Sequence, residues 1–178
     1  MSTSHDIKVR KAKAWQALNN MSKIWTSEIR RSVKARFFFA TVESVLLYGS
    51  ETWTLTPTIE KSLNGCYTRM LRAAFNISWR DHVPNQQLYG DIPRVTDKIR
   101  ERRLQFAGHC HRHPELRAHN LLLWKPTHGR RSRGRPAASF TCTLLNDAEV
   151  KTVGELQNLL NERDQWRSIS RARLWPPE

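Results

Sequence analysis

Acidic residues are the scarce charge in this sequence. Sixteen Asp and Glu stand against thirty Lys and Arg, a formal net charge of +14 over 178 residues. So one-sided a balance says little about fold, but it draws polyanions, of which nucleic acid and anionic membranes are the common kinds. Long apolar runs are missing too. The longest, "FFFATVESVLLYG" at 37–49, is interrupted by Glu43 and falls well short of the roughly 20 residues a membrane span needs. The basic residues are spread along the whole chain rather than gathered on one amphipathic helix, so no membrane partner is expected. Cysteine is sparse and odd in number: Cys66, Cys110 and Cys142 lie far apart, which argues against a disulfide framework and for reduced thiols inside a cell. The first ten residues carry His5, Asp6, Lys8 and Arg10 without an apolar stretch, so no signal peptide is expected.

Helical periodicity dominates what is present. Ile7, Lys11, Trp15, Leu18, Met21 and Trp25 recur at steps of three or four and predict a helix over about 5–26. A second is predicted over about 28–48, with Ile29, Val33, Phe37, Ala40, Ser44 and Leu47 on its buried face and Gly49 as its stop. Thr56 followed by Pro57 pairs an N-cap with a favoured first position, opening a helix through Ile59, Leu63, Cys66, Met70 and Ala74. A short helix around 86–89 should end at Gly90.

From Val95 the pattern places Ile99, Arg102 or Arg103, and Phe106 on successive turns, with Lys98, Arg100 and the remaining arginine on other faces. The segment "HPELRAHNLLLWKP" reads equally as the end of a helix or a short strand. "ASFTCTLLND" is a plausible helix. The last predicted helix opens with Thr152 and Glu155, a capping-box spacing, and continues through Leu156, Leu159, Leu160, Arg163 and Trp166. The expected fold is therefore all-α. It divides into a helical region over 1–125, a basic linker over 126–137 framed by Pro126, Gly129, Gly134 and Pro136, and a small helical segment over 138–178.

The linker holds the strongest functional signal. "HGRRSRGRP" packs Arg130, Arg131, Arg133 and Arg135 into six positions, and guanidinium forks take phosphate oxygens two at a time. The competing reading is a solvated linker or a nuclear-localisation patch. Lys98, Arg100, Arg102 and Arg103 form a second candidate, either a helix face for phosphates or an ordinary solvated face paired with Asp97 and Glu101.

Trp53 and His113 are candidates for stacking on a base, although Tyr48 and Trp53 around Gly49 read first as a packed helix corner. His109, Cys110 and His113 supply zinc-ligand chemistry, but a closed zinc site wants four ligands and no Cys-x-x-Cys partner exists, so no metal is expected. No serine or cysteine sits in a nucleophile elbow, and "GRRSRG" lacks the lysine of a phosphate loop.

Taken together, "SHDIKVRKAKAWQALNNMSKIW", "LLYGSETWTLT", "MLRAAFNISWRDHVPNQQLYG", "RRLQFAGHCHRHPEL", "HGRRSRGRP" and "NERDQWR" resemble the region after the catalytic palm in reverse transcriptases of non-LTR (LINE-like) retrotransposons. The resemblance covers nearly the whole chain, with its motifs in the family's order. One position departs: where relatives carry an acidic residue after the aromatic that follows Gly-Arg-Pro, this chain has Phe140, Thr141 and Cys142.

The resemblance implies a thumb-like helical bundle and its C-terminal extension. Its implied partners are RNA and DNA, held through their phosphates, and the upstream palm of a parent polyprotein. The implied location is a cytoplasmic ribonucleoprotein or the nucleus. RNA-directed DNA polymerisation needs clustered aspartates that hold two divalent ions. No Asp-Asp pair occurs here; Asp6, Asp81, Asp91, Asp97, Asp147 and Asp164 are scattered. No catalytic residue is therefore assigned, Mg2+ is expected only for the missing palm, and the chain is expected to be a truncated piece of a longer element. The competing reading is a degenerate helical scaffold with non-specific polyanion affinity.

Overall fold

A computed structural model describes residues 3–124 and 139–172. Every regular element among them is helical, as expected. The chain forms two compact units, residues 1–96 and 97–178. The division falls after Thr96, not at the arginine-rich segment, and the reason lies in the second unit's core, described below.

In the first unit the predicted helix over 5–26 breaks once. Helix α1 (Thr3–Asn20) gives way at Met21 to the short α2 (Ser22–Thr26). Trp25 supplies the reason: its buried indole turns back and Nε1 donates to the Leu18 carbonyl at 2.7 Å, serving an oxygen near the end of α1. Lys34 is buried as well, and its ammonium donates to the Trp25 carbonyl at 2.6 Å.

The predicted second helix is continuous in path but not in type. Helix α3 (Arg31–Phe38) passes through a π-helical turn, Phe39–Glu43, into the single turn α4 (Ser44–Leu46). Lys34, Phe38, Val42, Leu46 and Leu47 are buried; of the face read in the sequence Leu47 is buried as expected, while Ile29 and Phe37 are 40% exposed. The π-turn widens the coil by one residue, so Val42 and Glu43 are both buried. Glu43 then accepts the hydroxyl proton of Tyr67 inside the core. Gly49 follows at φ +73°, the left-handed conformation that glycine adopts without a Cβ penalty.

Helix α5 (Pro57–Ala74) forms where the cap predicts it. The Thr56 hydroxyl accepts from the Ile59 N–H, and Leu63, Cys66, Met70 and Ala74 are all buried. α1 packs on α4, the π-turn and α5, while α3 and α6 (Asn85–Tyr89) pack on α5. Lys11 lies at this surface with its ammonium on the hydroxyl and carbonyl of Ser62, and desolvation there lowers its pKa.

Helix α7 (Val95–Arg112) carries the chain into the second unit, followed by α8 (Arg117–Leu122), so the middle of the ambiguous "HPELRAHNLLLWKP" segment is helical, not a strand. Helix α9 (Phe140–Ala148) is capped by Ser139, whose hydroxyl accepts from the Cys142 N–H at 3.1 Å. The predicted last helix is two helices, α10 (Val153–Asn161) and α11 (Arg163–Ala172), separated by Glu162 at φ −82°, ψ 89°. At α10 the Thr152 hydroxyl accepts from the Glu155 N–H, and the Glu155 carboxylate reaches back to the Lys151 N–H, one residue before the cap.

One core joins Leu104, Ala107, Cys110 and Leu122 to Leu144, Ala148, Leu156, Leu160 and Trp166. Residues on both sides of segment 125–138 thus bury the same apolar surface, at about 1.5–3 kcal/mol per fully buried large side chain. That shared burial is why the arginine-rich segment does not divide the packing. Trp166 is the central bolt: its Nε1 donates to the Leu104 carbonyl at 2.8 Å, and its ring lies against Gly108, where a Cβ would come 2.4 Å from Nε1.

Candidate nucleic-acid interface

α7 presents its cations unequally. Lys98, Arg100 and Arg102 are partly exposed. Arg100 also bonds to Asp97 through Nη1 at 3.2 Å and lies 3.9 Å through Nε from Asp147. Arg103 is 1% exposed and forms a buried ion pair with Asp147 of α9. It was expected among the phosphate contacts and does not belong there, because its guanidinium is turned into the core and committed to a carboxylate. The sequence had left open whether Arg102 or Arg103 shared the stripe of Ile99 and Phe106, and Arg103 is the one that does.

Two further expectations change. Trp53 is 2% exposed and donates through Nε1 to Asp6 at 2.7 Å, so it has no free ring face for a base. Among the described residues the large aromatics that do reach solvent are Phe37, Tyr48, Trp79 and Trp124; Arg10 lies 4.4 Å over the Tyr48 ring and Arg80 5.6 Å from that of Trp79. Tyr48, read as part of a packed corner, faces outward while its neighbour Trp53 faces in.

His109, Cys110 and His113 do not converge. Consecutive helical residues diverge by about 100°, so Cys110 points into the core while His109 faces solvent. Burial pushes the Cys110 thiol above its usual range, the reverse of a thiolate prepared for metal. Among the described residues no group of three His, Cys, Asp or Glu side chains could hold a metal ion.

His113 keeps a partly exposed ring. It lies 4.4 Å from the His109 ring and 2.8 Å through Nδ1 from Glu115. Hydrogen bonds from the backbone and from His113 hold the Glu115 carboxyl below its usual range. His111 and His119 stack at 5.7 Å, with His119 Nδ1 3.1 Å from the Cys110 carbonyl.

Arg130, Arg131, Arg133 and Arg135 lie outside the described residues. The basic feature that sequence reading missed is on α11. Arg163, Arg167 and Arg171, four residues apart, line one open cleft of ≈ 330 Å³ together with Arg112 and Gln105 of α7 and with Trp166 and Ser170. The spacing was visible in "RDQWRSISR", but Arg163 had been counted on the buried stripe of a single long helix. The break at Glu162 resets the helical phase, burying Trp166 and leaving Arg163, Arg167 and Arg171 exposed.

No helix among the described residues is long and apolar enough to cross a membrane. The chain matches no family model, no curated protein and no solved structure.

Proposed function

We propose that this chain is a nucleic-acid-holding region of a non-LTR retrotransposon reverse transcriptase, corresponding to the thumb and the extension after it. In this reading it grips element RNA and nascent cDNA by their phosphates, while an upstream palm with its Mg2+ ions carries the polymerase chemistry. The observation that carries the reading is the excess of cations, +14 over the sequence, on an all-helical fold. Lys98, Arg100 and Arg102 on accessible faces of α7, and the four arginines at 130–135, are the contacts assigned to phosphate. Such contacts hold a strand without reading its bases, as a processive grip requires. The motif order quoted above supplies the family, and with it a location in a cytoplasmic ribonucleoprotein or the nucleus.

The test is binding of labelled RNA and DNA over a salt series, with heparin as competitor. Log affinity should fall linearly with log salt. Replacing Arg130, Arg131, Arg133 and Arg135 by alanine should reduce the single-strand slope by roughly 3, at about 0.7 per phosphate. A chain indifferent to RNA and DNA in dilute buffer overturns the reading.

A second reading, a helical scaffold with only residual polyanion affinity, draws on one observation: Arg103 is withdrawn into an ion pair and Arg100 is shared between two aspartates. It predicts weak, non-saturating association in which heparin displaces RNA at equal charge.

A further inference from the structure

The arginines of α11 form a column. Arg163, Arg167 and Arg171 rise along one face in steps of about 6 Å, four residues at 1.5 Å each. Like charges at this spacing destabilise a helix by about 0.2–0.5 kcal/mol per pair. Among the described residues none of the three is held in an ion pair or a side-chain hydrogen bond, although Glu101 lies near enough to Arg171 to feel its charge. The column thus carries repulsion that a bound polyanion would relieve.

The floor beneath the column is fixed. Trp166 is 2% exposed and tied to the Leu104 carbonyl, and Ser170 is 2% exposed with its hydroxyl on the Arg167 carbonyl at 3.0 Å. Arg112 of α7 also lines the cleft, its Nη1 donating to the Leu160 carbonyl at 3.3 Å. A buried, hydrogen-bonded floor with cations contributed by two helices reduces the ordering cost that binding would otherwise incur.

Building on the nucleic-acid reading, we propose that the cleft between α7 and α11 is a separate backbone track. In it a single-stranded polynucleotide lies along α11, with successive phosphates taken by Arg163, Arg167 and Arg171. The regular column suits a ligand whose charges repeat at a similar step, and guanidinium groups pair bidentately with phosphodiester oxygens. The opening of ≈ 330 Å³ is larger than one phosphate requires and is open to solvent. An anionic membrane fits less well. Helices that lie in a bilayer surface expose an apolar face beside their charges, whereas the large apolar ring of α11, Trp166, is buried, and none of the exposed large hydrophobics lies on this helix.

The experiment uses the full chain and labelled oligo-U and oligo-dT, with anisotropy read over a salt series. The R163Q/R167Q/R171Q variant should reduce the log–log salt slope by about 2, three phosphates at about 0.7 each. The matching triple lysine variant should retain the slope. Should the triple glutamine variant lose its helical circular dichroism, the single variants read the same quantity, each about 0.7 lower. An unchanged slope, alongside a reduced slope on replacing Arg130, Arg131, Arg133 and Arg135, overturns the α11 track and leaves the broader reading standing. Failure of the wild-type chain to bind either oligonucleotide overturns both. Loss of binding to phosphatidylserine vesicles in the glutamine variant, with the oligonucleotide slope intact, also overturns the track.

Discussion

Asp147 of α9 accepts the guanidinium of Arg103 from α7 in the interior of the second unit, the two side chains being 9% and 1% exposed. Breaking such a pair from one side strands the other charge in a medium that solvates it poorly. Asp147→Ala should therefore cost about 3–5 kcal/mol in urea unfolding. Replacing both partners by apolar residues of similar volume, Arg103→Met with Asp147→Leu, should recover most of that loss. If Asp147→Ala unfolds at the wild-type urea midpoint, the pair is not buried as described.

Gly108 and Trp166 make a contact with no room for a methyl group. A Cβ at 108 would lie 2.4 Å from the indole Nε1 and 2.5 Å from Cδ1, atoms of a ring fixed in the core. Gly108→Ala should cost about 1–3 kcal/mol through overpacking, despite alanine's better helix propensity. The thermal midpoint measures it, and a raised midpoint would contradict the packing.

In the first unit, Tyr67→Phe removes the hydroxyl that Glu43 accepts. Burial above all, with the Glu43 charge and hydrogen bond adding to it, raises the Tyr67 pKa, so the phenol stays protonated through the neutral range. The loss should be about 1–3 kcal/mol, the usual cost of depriving a buried polar group of a partner. An unchanged urea midpoint would place the pair in water.

Glu101 tests the α11 column by another route. Burial pushes its carboxyl above the usual range, although Lys98, Arg102 and Arg171 pull the other way. With the folded pKa above the unfolded one, stability is full below the ordinary 4.5 and is lost as pH rises through the folded value. Glu101→Gln should therefore raise the melting temperature at pH 7 and give no gain well below pH 4.5. Its amide oxygen can keep accepting from Gln105. Removing this charge beside Arg171 should also tighten oligonucleotide binding; weaker binding would count against the cleft.

The helices were legible where local chemistry decides them. Thr56–Pro57 and Thr152 mark helix starts by capping, and the α5 stripe from Leu63 to Ala74 is buried as its period requires. What periodicity missed were changes of phase: the break at Met21, the π-turn at Phe39–Glu43 and the break at Glu162. Each rotates every later side chain. Such a rotation, at Glu162, moves Arg163 out of the predicted core. The candidate site suffered more than the fold, because a stretch of basic sequence does not say which cation is spoken for. Arg102 and Arg103 are neighbours in sequence, and only packing against Asp147 distinguishes them.

The second unit's core is filled from α7 and α8 on one side of segment 125–138 and from α9 to α11 on the other. The described core thus draws its apolar residues from both sides of the segment. Two polypeptides, one ending at Trp124 and one resuming at Ser139, retain every described residue of that core and should complement each other when co-expressed.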